Sequence, residues 1–273
     1  MEPVSDSGAG SVQSLTRGLA VIRAFDESRP EMTLSEVARV TELSRASVRR
    51  FLHTLVQLGY VWTDGRVFAL TPRVLELGFS YLSSISLPEI AQPHMEKLVS
   101  QLHESVSLSV LDGDDIVYVA RVPTSRIMTV SINIGTRFPA YATSMGRVLL
   151  AHLPEDELTA YLERVEPTRL GPHTVTTVGA LRRELERIRA QGWSLVDQEL
   201  EAGLRSLAAP VRGPAGRGGR GGVKAAVNVS CHAGRTSQEH ARKVLLPSLL
   251  EAAARIEADL RVAPSARADT PSR

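Results

Sequence analysis

The sequence predicts an α+β fold in two unlike domains, and three observations predict it. Residues 11–70 carry three short helical patterns and then a Gly-centred hairpin. Residues 87–261 alternate strand patterns with amphipathic helices, as α/β and α+β domains do. Residues 71–86 between them read as one connecting helix. The ends, 1–10 and 262–273, are rich in Ser, Pro, Ala, Gly and charge, and are expected to be disordered tails.

Composition narrows the class. A chain of 273 residues has room for two domains, and 43% apolar with 23% charged residues is ordinary for a water-soluble globular protein. No run reaches the ~18 apolar residues of a membrane span. Met1 to Gly10 lacks the apolar stretch of a secretory signal. The single cysteine, Cys231, excludes an internal disulfide and fits a reducing cytoplasm, the expected location. The net charge of +2 says nothing about nucleic acid, but its distribution does. Between positions 39 and 50 lie Arg39, Arg45, Arg49 and Arg50 against a single acid, Glu42.

The first helix spans about Val12 to Asp26, with Leu15, Leu19, Ile22 and Phe25 spaced for one buried face. Pro30 lies in the connection. Thr33-Leu-Ser-Glu36 is a capping box that opens a second helix ending near Val40. Thr41-Glu42-Leu43 forms a turn. Ser44 then caps a third helix, which runs to Leu58 and stops at Gly59. Two short helices joined by such a turn are a helix-turn-helix. In the third helix Val48, Phe51, Leu52 and Leu55 share one side, while Ala46, Arg49, Arg50, His53 and Gln57 share the other. The hairpin around Asp64-Gly65, with Arg66 near its tip, would be a wing.

This winged helix-turn-helix makes double-stranded DNA the expected partner. A helix fits the major groove and reads bases with its N-terminal residues. Arg45, Ala46, Ser47, Arg49, Arg50 and His53 are the candidates there. Ser44, Ser47, Thr54 and Thr33 suit phosphate oxygens, and Arg66 suits the backbone beside the groove. A basic helix face can also be no more than a solvated one. Here it comes with two caps, a tight turn and a wing in the right order.

In the larger block, Leu87 to Glu104 is a helix with Ile90, Met95, Leu98 and Leu102 inward. Ser105–Val110 and Ile116–Val122 pair around Asp112-Gly113-Asp114, and Met128–Ile134 is a further strand. Gly135 to Thr143 reads as a loop leading into a helix, Ser144 to Ala151. Backbone N–H groups at such a junction attract anions. A small carboxylate would fit there, lined by Thr143, Ser144 and Met145, with Ala142 keeping the site open. Helix Val178–Gln191 precedes strands at Trp193–Glu199, Ser206–Val211 and Val223–Ser230. Gly213 to Gly222 contains a formal G-x-G-x-x-G. A strand follows it instead of a helix, so it reads as a hairpin tip and not as a phosphate loop.

Nothing points to catalysis. The histidines lack metal-ligand spacing, and there is neither a nucleophile elbow nor a P-loop. Cys231 and His232 are strand neighbours aimed at opposite faces. No catalytic residue, metal or cofactor is expected.

The sequence resembles the IclR family of bacterial transcription regulators. The resemblance is carried by Ser14-Leu-Thr-Arg-Gly-Leu-Ala-Val-Ile22, Leu34-Ser-Glu-Val-Ala38, Leu43-Ser-Arg-Ala-Ser-Val-Arg-Arg-Phe-Leu52 and Leu70-Thr-Pro-Arg73. It continues in Ala142-Thr-Ser-Met-Gly-Arg-Val-Leu-Leu-Ala151, in Glu199 with Gly203-Leu-Arg-Ser206, and in Ala226-Val-Asn-Val-Ser230. It spans about residues 11–260. It implies a GAF-like α/β effector-binding domain behind the linker helix. It also implies homodimers, often paired as tetramers, on palindromic operators. Family ligands sit among the 142–145 loop and the late strands, which adds Asp197, Glu199, Leu204, Ser206, Asn228 and Ser230 as effector candidates. Asp197 and Glu199 have an alternative as partners of Arg205, and the two serines as ordinary strand residues. Ser86-Leu-Pro-Glu-Ile-Ala-Gln-Pro93 and Leu111 to Pro123 are more similar to the branch that regulates aromatic catabolism through the β-ketoadipate pathway. The expected function is an operator-binding regulator modulated by a small aromatic or dicarboxylic acid. The alternatives are a ligand-independent repressor or architectural DNA binder, and a metabolite enzyme carrying a DNA-binding appendage.

Overall fold

The computed structural model describes residues 12–26, 28–77, 87–124, 132–213 and 222–262. These fall into two compact units, one on each side of residues 78–86. Both expected tails, most of the linker helix (78–86), the strand positions 128–131 and the glycine-rich positions 214–221 lie outside the described residues, except that Val262 ends the last helix.

The first unit runs α1 (Gln13–Arg23), β1 (Glu31–Thr33), α2 (Leu34–Thr41), α3 (Arg45–Gln57), β2 (Val61–Thr63) and β3 (Val67–Leu70). Thr33 and Glu36 form the full capping box of α2, and Ser44 Oγ accepts from the Ser47 N–H to cap α3. Glu42, in the turn between them, takes the left-handed conformation that ends α2. Val37, Ala38, Val48, Leu52 and Leu55 are buried as their spacing predicts.

Two local expectations need correction. Leu15 and Leu19 are 63% and 48% exposed, and the buried residues of this segment are Val21, Ala24 and Phe25. The helix meets α3 along Gly18, where a Cβ would stand 3.8 Å from the Phe51 ring. β1 is a strand that the sequence reading did not find. It pairs antiparallel with β3, so the hairpin becomes a three-stranded sheet in the order β1-β3-β2. Three residues are too few to show alternation. The wing closes over residues 64–67, because the Asp64 carboxylate accepts from the N–H groups of both Arg66 and Val67 at 2.8 Å.

After Leu70 the chain makes a 3-10 turn, Pro72–Val74, and one further helical turn to Leu77.

The second unit contains α4 (Leu87–Leu102), β4 (Ser105–Asp112), β5 (Asp115–Val122), β6 (Arg137–Pro139), α5 (Ser144–Ala151), α6 (Glu155–Arg164) and α7 (Val178–Gln191). β7 (Ser194–Asp197), β8 (Leu204–Arg212) and β9 (Val223–His232) follow. A short turn, Gln238–His240, and a π-helical turn, Ala241–Leu245, lead into α8 (Leu246–Val262). The strands form one six-stranded sheet, β6-β5-β4-β9-β8-β7, antiparallel at every pair. Helices cover both faces. α4 and α8 pack with Val106, Leu108, Leu207, Val227 and Val229 on one side. α5, α6 and α7 pack with Ile116, Tyr118, Ala208 and Ala226 on the other.

The segment read as a loop, 135–143, contains β6 and a 3-10 turn, Ala140–Ala142. Of the strand expected at 128–134, the described residues 132–134 are not extended pairing partners. Helices α6 and α8 were not singled out in the sequence. No described helix is long and apolar enough to cross a membrane.

Candidate nucleic-acid interface and effector cavity

The outer face of α3 collects Arg45, Ala46, Arg49, Arg50, His53 and Thr54, all exposed, with Ser47 half-buried at its start. Arg66 is exposed at the tip of the wing. These residues share one small unit; among the described residues Arg45, Arg49 and Arg50 form no ion pair, and Arg66 has only the electrostatic neighbourhood of Asp64.

Three of the hydroxyl candidates already have structural work. Thr33 Oγ1 donates to Glu36 Oε2 at 2.7 Å, Ser44 Oγ donates to Ser47 Oγ at 3.0 Å, and Thr54 Oγ1 donates to the Arg50 carbonyl at 3.0 Å. Their caps and turns are secured, and the Ser47 hydroxyl proton is the one left without a described acceptor. The sequence reading missed Ser14 and Arg17. Both line a groove between α1 and α3 that Ser47 and Arg50 also line. Their signal was in the α1 register, since Ser14 lies four residues before Gly18 and Arg17 four before Val21, on the side of α1 that meets α3.

In the second unit, a cavity opens at the start of α5. Its lining brings together Ala142, Thr143, Ser144, Met145, Leu204, Ser206, Asn228 and Ser230 from the sequence reading. Tyr118, Ile132, Val196 and Leu200 complete it. Thr143 caps α5 through its Oγ1, which accepts from the Gly146 N–H at 3.0 Å. A Cβ on residue 146 would lie 2.2 Å from the Ala140 carbonyl oxygen, so only glycine lets the helix start this close to the 3-10 turn.

The cavity's polar groups form a linked set on the sheet. Ser144 Oγ donates to Ser206 Oγ at 3.0 Å, and Ser206 and Ser230 share a hydrogen bond of 3.0 Å. Asn228 Nδ2 donates to Ser206 Oγ (2.9 Å) and Ser230 Oγ (3.0 Å), while its Oδ1 accepts from the Ser107 N–H. This buried amide is thus fully partnered, as a buried polar group must be. Tyr118 is buried against the same space, and burial pushes its hydroxyl up to about 12. It stays a neutral donor there.

Asp197 and Glu199 do not line the cavity. Asp197 is gripped by Arg205, with both N···O distances 3.0 Å, and by Gln238 at 2.8 Å. Glu199 pairs with Arg147 and not with Arg205. Arg147 Nη1 and Nη2 reach its two oxygens at 2.7 and 2.5 Å, and the Val175 N–H donates to Oε2 at 2.9 Å. Two buried arginines needed counter-charges, and these carboxylates supply them. Cys231 is buried and His232 exposed, on opposite faces of β9. Among the described residues no group of His, Cys, Asp and Glu could hold a metal ion.

A basic-faced winged helix followed by a domain with an open, mainly apolar cavity that carries a few linked polar groups defines a DNA-binding regulator with a separate small-molecule domain. Comparison with known proteins narrows the class. Residues 14–65 match the IclR helix-turn-helix domain and residues 79–258 the bacterial transcriptional regulator IclR C-terminal domain. The chain belongs to the IclR family of transcriptional regulators. It is 45% identical to the Pca regulon regulatory protein of Pseudomonas putida, over 88% of this chain and 81% of that one. A transcriptional regulator of Rhodococcus sp. RHA1, known as a crystal structure, is 60% identical with a TM-score of 0.83, covering 92% of this chain and 99% of that one. An IclR homologue of Microbacterium hydrocarbonoxydans, crystallised with 4-hydroxybenzoate, is 27% identical with a TM-score of 0.80, covering 91% and 99%.

Proposed function

We propose that this regulator controls aromatic-catabolism genes and that a small aromatic or dicarboxylic acid, seated in the cavity at the start of α5, modulates its operator binding. The carrying observation is the cavity itself, where the linked groups of Ser144, Ser206, Asn228 and Ser230 face apolar walls from Leu200, Leu204 and Met145. Few placed polar groups among apolar walls are what a small organic ligand needs. The name of the Pseudomonas putida relative and the 4-hydroxybenzoate complex of the Microbacterium homologue support the choice of ligand class.

On the DNA side, Arg45, Ala46, Ser47, Arg49, Arg50 and His53 enter the major groove, Ser44, Thr54 and Thr33 approach phosphates, and Arg66 meets the backbone. The protein acts in the cytoplasm as a homodimer, or a dimer of dimers, on a palindromic operator. Val12, Leu15 and Leu19 support a second copy. They are exposed along α1 and at its N-cap, where a monomer gains nothing from them. Ligand then shifts the balance between two arrangements of the oligomer, by a coupling of ~1–3 kcal/mol.

The test is a thermal-shift screen of the full chain against aromatic acids and β-ketoadipate, followed by operator gel shifts with each hit. A saturable rise in melting temperature that also changes operator affinity is the expected result. A chain that binds its operator but that no acid stabilises would be a ligand-independent DNA binder. Turnover of a hit would make it an enzyme.

A further inference from the structure

The cavity lining carries no charged side chain among the described residues, although the ligand proposed for it is an acid. The two buried arginines nearby are spent, Arg147 on Glu199 and Arg205 on Asp197. A third arginine is not. Arg121 lies on β5 directly opposite Ser107 of β4, and Ser107 lies directly opposite Asn228 of β9. Opposed residues in antiparallel ladders project to the same face. Arg121, Ser107 and Asn228 therefore form one cross-strand row on the face that holds the cavity. Tyr118, three residues before Arg121 on the same strand, opposes Ser109 and lines the cavity too.

Arg121 Nη1 donates to Ser107 Oγ at 3.3 Å. This places the guanidinium over the central residue of the row. Asn228, a lining residue, is the next strand across, about 4.8 Å away by ordinary strand spacing. Among the described residues Arg121 meets no carboxylate, and its contact with a neutral hydroxyl cannot balance its charge. The site is half-buried, and desolvation holds the guanidinium below its ordinary pKa while the nearby Tyr118 hydroxyl opposes the shift. A cation partly withdrawn from water without a counter-charge is costly unless something supplies one.

We propose that Arg121 is the charge partner of the effector's carboxylate, a cation set one strand from Asn228 at the Tyr118 side of the cavity that an organic acid completes as an ion pair. The proposal rests on the reading of this cavity as an acid site. It assigns the acid group to the β4–β5 side and leaves the hydroxyls of Ser206 and Ser230 for a phenolic or keto oxygen at the other end. It also explains how a lining of serines, an amide and aliphatic groups discriminates an acid from its neutral analogue.

Calorimetric titration of the full chain with 4-hydroxybenzoate, protocatechuate and β-ketoadipate, and with methyl 4-hydroxybenzoate as the neutral match, tests it. Arg121→Gln should weaken the bound acid at least about tenfold, the usual loss for a hydrogen bond to a charged group. Binding of the methyl ester should change less than about twofold, because the ester has no charge to lose. The unliganded melting temperature should stay level or rise, since a desolvated charge is removed. Arg121→Gln binding the acid as tightly as the wild type overturns the assignment and leaves the cavity reading standing. Equal loss of acid and ester with a lowered melting temperature also overturns it, since Arg121 would then only support the fold. A wild type that binds none of the acids overturns the cavity reading and this assignment together.

Discussion

Arg147 and Glu199 face each other in a two-pronged ion pair whose side chains are 1% and 10% exposed. Arg147 Nε also donates to the Tyr141 carbonyl at 2.7 Å, and the Val175 N–H closes on Glu199 from the other side. One pair thus ties α5, the 3-10 turn before it, the loop at 171–175 and the segment after β7. Gly171 allows that closure, because a Cβ there would stand 2.6 Å from the Gln198 carbonyl oxygen. These segments carry Ala142, Ser144 and Leu200, so the pair holds one wall of the cavity.

Removing one partner should therefore be far worse than removing both. Arg147→Met strands a buried carboxylate and is expected to cost ~3–5 kcal/mol, and Glu199→Leu a similar amount. The double variant Arg147→Met/Glu199→Leu should regain much of the loss, since two matched apolar groups need no solvation. Urea denaturation of the three variants measures this. Additive losses would mean that the two residues do not act as a pair.

On the DNA side the residues divide by role. Arg49→Ala and Arg50→Ala should each cost ~1–3 kcal/mol against the specific operator and much less against scrambled DNA, because base-edge contacts carry the sequence information. Arg66→Ala should weaken both DNAs alike and reduce the salt slope by about one. Anisotropy titrations over a salt series separate the two patterns. Unchanged operator affinity in both helix variants would remove α3 from the groove.

What the sequence disclosed and what it hid follow from the range of each interaction. Helix α3 was legible because its cap, Ser44 to Ser47, and its buried row, Val48-Leu52-Leu55, lie within one segment. The polar lining at 142–145 was legible from the loop-to-helix junction alone. The late-strand candidates came through family resemblance. The ion pair was not legible, since Arg147 and Glu199 are far apart in sequence and Arg205 was an equally good partner on paper. A signal did exist. Arg147 is the only charged residue in the otherwise apolar helix Ser144–Ala151, and a lone arginine there demands a carboxylate from elsewhere. Arg121 was hidden for the same reason, because its importance comes from a strand register that links β5 to β9 through β4.

His152 sets an acid limit on stability. It closes α5, with Nδ1 2.8 Å from the Val148 carbonyl oxygen. Burial pushes its pKa down; the Val148 carbonyl opposes this, and Arg212 and Arg189 add repulsion. The unfolded chain, near pKa ~6.5, takes up the proton first as the pH falls. Stability present above that value is therefore lost as the pH drops toward the lowered folded value. Melting temperatures from about pH 7.5 down to about pH 5 should decline less in His152→Gln than in the wild type. Parallel curves for the two proteins would refute the assignment.

Cys231 should be chemically silent in the native protein. It is 1% exposed, and burial pushes its thiol up to about 11, with Glu104 adding to the shift while Thr236 and Arg205 oppose it. Attack on a disulfide reagent requires the thiolate, which at pH 8 would then be about one part in a thousand. His232 cannot activate it, since it is exposed on the opposite face of β9. Labelling of the native chain should be limited by unfolding, whereas the denatured chain should label at once and stoichiometrically. Cys231→Ser should retain operator and ligand affinities, because no proposed contact passes through the sulfur. Fast labelling without denaturant, protected by a bound acid, would instead place the thiol in reach of the cavity and reopen the assignment of that face of β9.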